Sequence, residues 1–208
     1  MAQNTTIDQR LSDESLQPFS GRILPGICFE SGHSIWLYDF ESTPTDLGGY
    51  REFWVVEPDD TRILYYDTEG ADAEIAAFHD WSRSIMAEME WEWTTDHIDI
   101  TVNVSEGATI ELEGTVDDSV MSRVLTLMQR SLPEPLHRRM FGRHTETGKF
   151  GHLKTPRVRV VTRATARMDG RSLGAVQPPD EPVTFGEVSA FDHPYVFVGD
   201  LLLEYPDE

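Results

Sequence analysis

Glu52 is the side chain whose type and position best suit acid–base chemistry. It lies in the segment YREFWVV, residues 50–56, where the side chains of a strand alternate between two faces. Tyr50 and Trp54 therefore share the face of Glu52. If that face is internal, its aromatic rings desolvate the carboxylate and favour its use as a proton donor or acceptor. If the face is solvated, Glu52 is one more surface acid.

Cysteine and histidine give little support for thiol or metal chemistry. Cys28 is the single cysteine, which excludes an intramolecular disulfide and a cysteine metal site. His137, His144 and His152 fit no compact ligand spacing, and no acidic or thiol residue completes a set around them. We therefore expect loop histidines, no metal site and no cofactor.

The elements that must position Glu52 are predicted to form a mostly antiparallel sheet. Downstream of its strand, alternation and turn residues predict a strand over residues 63–66, a helix over 72–81, a tight turn at Ser82-Arg83-Ser84, and strands over 85–93 and 97–104. The unit is a strand, a helix, a tight turn and a hairpin.

A second helix is predicted over residues 119–131. Its apolar face carries Val120, Val124, Leu127 and Met128, and the prolines at positions 133 and 135 are expected to end it. The predicted fold is α+β, mostly antiparallel β, with two short helices. Residues 1–18 are predicted to be a polar N-terminal tail, and residues 19–208 a single domain.

Three stretches resemble, in the same order, motifs of one known family. Residues 47–52, LGGYRE, resemble its Leu-Gly-x-Tyr-x-Glu strand, which supplies an active-site glutamate. Residues 67–84 resemble its Ala-rich helix followed by an aromatic-Pro-Lys-Lys turn. Residues 182–205 resemble its closing Pro-Val-x-Glu-Val-Val-Ser segment and final strand. The chain thus resembles the acetoacetate decarboxylase family, which implies a β-cone or barrel that encloses an apolar cavity.

The resemblance implies a binding site without the family's Schiff-base lysine. Trp81 takes the aromatic position of the turn, and Arg83 and Ser84 take the positions of its two lysines. A guanidinium stays protonated and is a poor carbonyl nucleophile, but it binds carboxylates well. Glu52 is then the catalytic candidate, and the expected ligand-binding residues are Arg83, Ser84, Tyr50 and Trp81. We expect Arg83 to approach Glu52 within salt-bridge distance when no ligand is bound.

The predicted function is therefore that of an acetoacetate decarboxylase-like protein that binds a small oxo-acid or related carboxylate in a central cavity. A lyase-like activity would have to proceed without a lysine Schiff base. One alternative is a non-catalytic structural or oligomerising β-domain. Another is an unrelated β-barrel ligand binder. A second family glutamate, expected upstream, corresponds to Leu37, which weakens the case for acid–base chemistry.

The charge of the chain is strongly acidic. Thirty-seven acidic residues face seventeen basic ones, for a net charge of −20, and only two of the basic residues are lysines. This composition is typical of proteins from a salt-rich cytoplasm, although an ordinary acidic mesophilic protein is the alternative. The sequence shows no signal peptide and no membrane-spanning run, so a cytoplasmic location and no membrane partner are expected.

Residues 137–171, the basic segment, carry a net positive charge in an otherwise acidic chain. They hold ten Lys or Arg and two acids, a net charge of +8, which leaves −28 on the remainder. Its strand is predicted to place Arg157, Arg159, Arg163 and Arg167 on one face. The basic segment has three possible roles: an anion-binding surface, an arginine-lined funnel, or an electrostatic seam. The favoured role is the seam, which would contact the acidic remainder of the chain or another subunit. We expect a homo-oligomer and no nucleic-acid partner, because the acidic remainder repels phosphates.

Overall fold

The computed structural model describes residues 16–104, 107–144, 150–179, 184–185 and 188–204. The elements follow in this order: β1 (Leu16–Cys28), β2 (Ser34–Ser42), β3 (Tyr50–Val56), β4 (Arg62–Tyr66), α1 (Ala71–Ile75), β5 (Arg83–Met86), β6 (Glu88–Trp93), β7 (His97–Asn103), β8 (Thr109–Asp117), α2 (Val120–Ser131), α3 (Glu134–Phe141), β9 (Gly142–His144), β10 (Phe150–Met168), β11 (Arg171–Ser172), β12 (Thr184–Phe185), β13 (Val188–Ser189) and β14 (Tyr195–Glu204). Because β1 begins at Leu16, strand structure includes the last three residues of the predicted tail.

One large sheet dominates the described part of the chain. Its strands lie in the order β5-β4-β3-β2-β1-β14-β10-β8-β7-β6, with β9 and β11 also paired to β10. Every pairing within it is antiparallel except that of β4 with β5. The end strands β5 and β6 are separated in sequence by Ala87 alone, so the sheet curls into a nearly closed barrel. The predicted mostly antiparallel α+β fold is confirmed.

Alternation along the strands divides the buried side chains into two cores. The aromatic core includes Trp36, Tyr38, Tyr50, Trp54 and Phe185. The aliphatic core takes the intervening positions of the same strands, for example Ile35 and Leu37 on β2 and Phe53 and Val55 on β3. A side chain's parity along its strand therefore decides which core it enters.

The segment after β4 differs from its prediction. The helix α1 spans Ala71–Ile75, and residues 76–78 continue as a tight turn in which Phe78 N–H donates to the Ile75 carbonyl at 2.9 Å. The predicted tight turn at residues 82–84 is wrong, because Arg83 and Ser84 belong to β5. That strand pairs in parallel with β4, and Ser82 N–H extends the pairing by donating to the Arg62 carbonyl at 2.9 Å.

The second predicted helix is confirmed, but its orientation is not the expected one. Ser119 caps α2, accepting from Ser122 N–H at 3.0 Å. The side of α2 that faces the sheet is the polar one, with Ser122 and Gln129 buried, whereas Val120, Val124 and Leu127 are exposed. A third helix, α3, was missed. Pro135 is its second residue, where the first turn of a helix tolerates proline.

The arginine row predicted on β10 is split by a β-bulge. Register shifts lie between Lys154 and Arg157, and again between Val161 and Arg163. Arg157 and Arg159 share the parity of Val161, which enters the aliphatic core. Beyond the second bulge it is Ala164 and Ala166 that enter that core, so Arg163 and Arg167 point to the opposite face. The prediction of one arginine face is wrong for this reason.

None of the helices in the described ranges is long and apolar enough to span a membrane.

Candidate functional site

Glu52 lies on an internal face in the middle of the sheet. Its strand β3 runs between β2 and β4, and its Cα partners are Tyr38 and Tyr66. The side chain is 3% exposed, and the indole Nε1–H of Trp54 donates to its Oε2 at 2.7 Å. A buried carboxyl group that accepts a short hydrogen bond is a strongly positioned group. The possibility that Glu52 is a solvated surface acid is therefore excluded.

His79, which sequence reasoning did not single out, lies beside the same strand. Its ring stacks on Phe185, with centroids 4.7 Å apart and an interplanar angle of 24°. The rings of Trp54 and Tyr38 lie 5.7 and 6.0 Å away. His79 is 6% exposed, and its Nδ1 is a buried atom with no hydrogen-bond partner among the described residues.

Burial makes His79 a neutral imidazole. The pKa of His79 is lowered from 6.5 to about 3, mainly by desolvation and also by the charge of Arg62, while Asp80 opposes the shift. At neutral pH the ring therefore has one N–H donor and one lone-pair acceptor. An unpartnered ring nitrogen in a dry aromatic setting is costly unless a bound molecule or water satisfies it.

Trp54 connects these two groups. Its indole N–H bonds to Glu52, and its ring meets the His79 ring edge-on, with an interplanar angle of 72°. A carboxylate and a neutral imidazole thus contact one tryptophan on one internal face. We call Glu52, His79, Trp54 and Tyr38 the interior polar site. Its chemical capacity is proton transfer and hydrogen bonding to a neutral or anionic polar molecule.

Arg62 places a positive charge beside this site. Its guanidinium carbon lies 5.4 Å from the centroid of the Phe185 ring, and its Nε is 3.6 Å from Asp60 Oδ1. With Asp60, Asp80, Trp81 and Ser82 it lines a surface depression of about 440 Å³. Trp81 also reaches inward, since its ring centroid lies 6.1 Å from that of Trp54. The depression therefore adjoins the aromatic core through Trp81.

Three of the predicted ligand-binding residues lie on the side of Glu52. Tyr50 is buried in the aromatic core, edge-on to Phe40, and Trp81 packs against that core. Ser84 is half-buried, and its Cα partner is Leu64, which is also part of the aromatic core. The sheet thus sets Tyr50, Trp81 and Ser84 on the face that carries the interior polar site.

Arg83 does not lie on that face. It is exposed, its Cα partner is Ile63 of the aliphatic core, and its charge acts on Tyr65, whose pKa burial raises and Arg83 lowers. The predicted ion pair between Arg83 and Glu52 is therefore wrong. The cause is the strand conformation of residues 83–86, since alternation sends neighbouring side chains to opposite faces.

A second buried polar cluster joins α2, α3 and β10. His137 Nδ1 lies 2.7 Å from His152 Nε2, and His137 Nε2 lies 2.6 Å from Gln129 Oε1. Since the amide oxygen only accepts, His137 donates from Nε2 and accepts from His152 at Nδ1. Burial lowers the pKa of both histidines, that of His152 to about 4. The expectation of loop histidines is wrong for these two.

The side chain of His144 lies outside the described residues. Within the described ranges, no group of three or more His, Cys, Asp or Glu is placed to hold a metal ion.

Comparison with known proteins adds structural neighbours. No family model matches the chain, and no curated protein matches it. Among solved structures it is similar to the acetoacetate decarboxylase of Legionella pneumophila subsp. pneumophila str. Philadelphia 1, with a TM-score of 0.49 and 9% identity, covering 99% of this chain and 95% of that one. A chain from "Structural Studies of Acetoacetate Decarboxylase" gives a TM-score of 0.45 and 13% identity, covering 93% and 88%.

Proposed function

We propose that the protein binds a small oxo-acid or a related carboxylate at the interior polar site, without a lysine Schiff base. The observation that carries the proposal is the buried Nδ1 of His79, which has no hydrogen-bond partner among the described residues and lies beside Trp54, the residue that bonds to the buried Glu52. A ligand oxygen or hydroxyl at this nitrogen would satisfy a group that the described residues leave unsatisfied.

The residues around the site suit the two ends of an oxo-acid. Arg62 offers a guanidinium for the carboxylate, and a fork of N–H donors matches two carboxylate oxygens. A neutral imidazole N–H can donate to a keto oxygen, and Glu52 can accept or return a proton at the neighbouring carbon. Any catalysis would then be acid–base chemistry at a carbon next to a carbonyl.

The lysines support the part of the proposal that concerns the Schiff base. The segment WSRS at residues 81–84 contains no lysine. Lys154 is exposed, and its Nζ lies 3.2 Å from Glu134 Oε2, so it takes part in a surface ion pair and is not a buried amine of the kind that Schiff-base chemistry uses. Lys149 lies outside the described residues.

Titration calorimetry with pyruvate and acetoacetate tests the proposal. His79→Phe keeps an aromatic ring and removes the nitrogens, and Glu52→Gln keeps the shape and removes the charge. We expect each change to weaken binding by about tenfold or more, the effect of losing one hydrogen bond to a charged or desolvated group. Glu90→Gln, at an exposed position of β6, is the matched control and should bind like the wild type.

Two outcomes would contradict the proposal. If both variants bind these acids as tightly as the wild type, the interior polar site is not the binding site. If Arg83→Ala weakens binding, Arg83 is the residue that holds the ligand carboxylate. Borohydride treatment with acetoacetate should leave no adduct, and a stoichiometric adduct on Lys149 or Lys154 would establish Schiff-base chemistry instead.

We also infer a second candidate function, a self-assembling domain, from one specific observation. Large apolar side chains on α2 and α3 are exposed: Val120, Met121, Val124, Leu127, Leu136 and Met140. Met140 lies in the basic segment, Leu136 borders it, and α2 packs against its strand β10, whereas the rest of the chain is strongly acidic, so a second copy offers complementary charge. Such an interface would extend the seam predicted at the basic segment to the outer faces of α2 and α3.

Sedimentation at several concentrations tests self-assembly. Val124→Glu puts a charge in the centre of the apolar surface and should give monomers, because an unpaired charge is costly to bury. Met86→Glu, at an exposed apolar position on β5, is the matched control and should assemble like the wild type. A monomeric wild-type protein would contradict this function.

A further inference from the structure

A groove between α2 and β10 gathers arginines away from the interior polar site. It has a volume of about 400 Å³, and its charged lining consists of Arg123, Arg130, Arg157, Arg159 and a single acid, Asp118. A smaller cavity of about 90 Å³ adjoins it, shares Arg157 and Arg159, and adds Arg22. Five guanidinium groups therefore surround two connected depressions in a chain whose net charge is −20.

Two of these arginines are held in place by the backbone. Arg130 Nε donates to the Pro156 carbonyl at 2.7 Å, and Arg159 Nη1 donates to the Thr95 carbonyl at 3.1 Å. Arg159 is the more enclosed of the two, with 18% of its side chain exposed. Each guanidinium has other N–H groups besides the one that bonds to the backbone carbonyl, and these could donate to a ligand. Tethering fixes the direction of those donors before any ligand arrives.

Arg123 and Arg157, the other two arginines of the groove, have no acidic partner among the described residues. Within the described ranges Arg123 and Arg157 form no ion pair, and Asp118 is taken up by Arg159, with Oδ1 3.8 Å from Nε. Arg159 Nε is also buried and makes no hydrogen bond with any described residue. Like charges held this close repel each other, and an anion in the groove would remove that cost.

The position of α2 makes the arrangement a rigid one. The Thr126 hydroxyl donates to the Val158 carbonyl at 3.3 Å and accepts from Val158 N–H at 2.9 Å, so the helix is fastened to β10 in the middle of the groove. Arg157 and Arg159 of β10 line the groove together with Arg123 and Arg130 of the helix. The cations come from two elements that cannot move apart independently.

We propose that this groove binds a phosphate-bearing small molecule. Several guanidinium forks around one space suit a tetrahedral oxyanion with more than one negative charge. The volume admits more than a single phosphate group. The site is separate from the oxo-acid site, and its occupation does not depend on the proposed function.

Titration calorimetry tests the groove with three probes: inorganic phosphate, pyrophosphate and glycerol 3-phosphate. We expect pyrophosphate to bind, and the binding to weaken as salt is added because the contacts are ionic. A preference for glycerol 3-phosphate would assign the site to a phosphate ester, and a preference for pyrophosphate to an inorganic or diphosphate ligand. Citrate is the control for charge without phosphate, and equal binding of citrate would overturn the phosphate assignment.

Matched variants locate the site. Arg123→Ala and Arg157→Ala should each weaken pyrophosphate binding by about tenfold or more. Arg163→Ala and Arg167→Ala remove exposed arginines from the opposite face of the same strand and should bind like the wild type. Pyruvate binding should be unchanged in all four, which separates this test from that of the interior polar site. Absence of binding by all three phosphate probes, or equal loss in all four variants, would overturn the proposal.

Discussion

Replacing His79 by phenylalanine should remove one acid-labile component of stability. Burial holds the pKa of His79 at about 3, against 6.5 for an ordinary histidine. Between these two pH values the histidine is protonated in the unfolded chain and neutral in the folded one. The contribution of His79 to the free energy of unfolding is fully present above the pKa of histidine in the unfolded chain. Below that pKa it falls by about 1.4 kcal/mol per pH unit. The loss is roughly 2 kcal/mol by pH 5 and approaches roughly 5 kcal/mol at the folded pKa.

Urea unfolding, followed by tryptophan fluorescence at a series of pH values, measures this contribution. The free energy of unfolding of wild type should decline more steeply on acidification than that of His79→Phe, by about one proton. Other buried groups, such as His152, Asp39 and Glu74, also titrate, but their contributions cancel in the difference between the two proteins. If the free energy of unfolding falls equally with pH in the two proteins, the reasoning is refuted. Such a result would mean that the pKa of His79 does not change on folding.

Three further expectations follow from other parts of the molecule. The melting temperature should rise from dilute buffer to molar KCl, because salt screens the repulsion within a chain of net charge −20, and a flat or falling melting temperature would count against a halophilic source. Gly49→Ala should cost about 1–3 kcal/mol in chemical denaturation, since its Cβ would lie 2.5 Å from the Phe40 carbonyl oxygen. Trp54→Phe should also cost about 1–3 kcal/mol, because it removes the indole donor from the buried Glu52 carboxylate, and an unchanged midpoint would mean that this bond contributes nothing.

Alternation within a strand was a reliable guide to the site because it depends only on local geometry. The segment 50–56 folds as the predicted strand, and its even-numbered residues enter the aromatic core while Phe53 and Val55 enter the aliphatic one. The same parity shows that Leu37 does not lie beside Glu52. Leu37 faces the aliphatic core, and the residue of β2 paired with Glu52 is Tyr38.

Features that depend on long-range pairing could not be predicted in this way. The strand β5 exists because residues 83–86 pair in parallel with β4, and nothing within the four residues themselves specifies that partner. The inverted face of α2 has a similar origin. Its apolar stripe is strong in the sequence, but Thr126, Gln129 and Arg130 make the hydrogen bonds to β10. Periodicity shows that a helix has two faces, while its partners decide which one is buried.

The strand conformation of β5 separates two of the predicted ligand-binding residues. Arg83 points away from Glu52, and Ser84 lies on the face of the aromatic core. Neither a nucleophilic amine nor a cation therefore enters the interior from this strand. The positive charge beside the site comes from Arg62 on β4, and the buried nitrogen comes from His79. A neutral imidazole beside a desolvated carboxylate can move protons but offers no amine for an iminium. Under the proposed function, this face of the sheet would therefore support acid–base chemistry or simple binding.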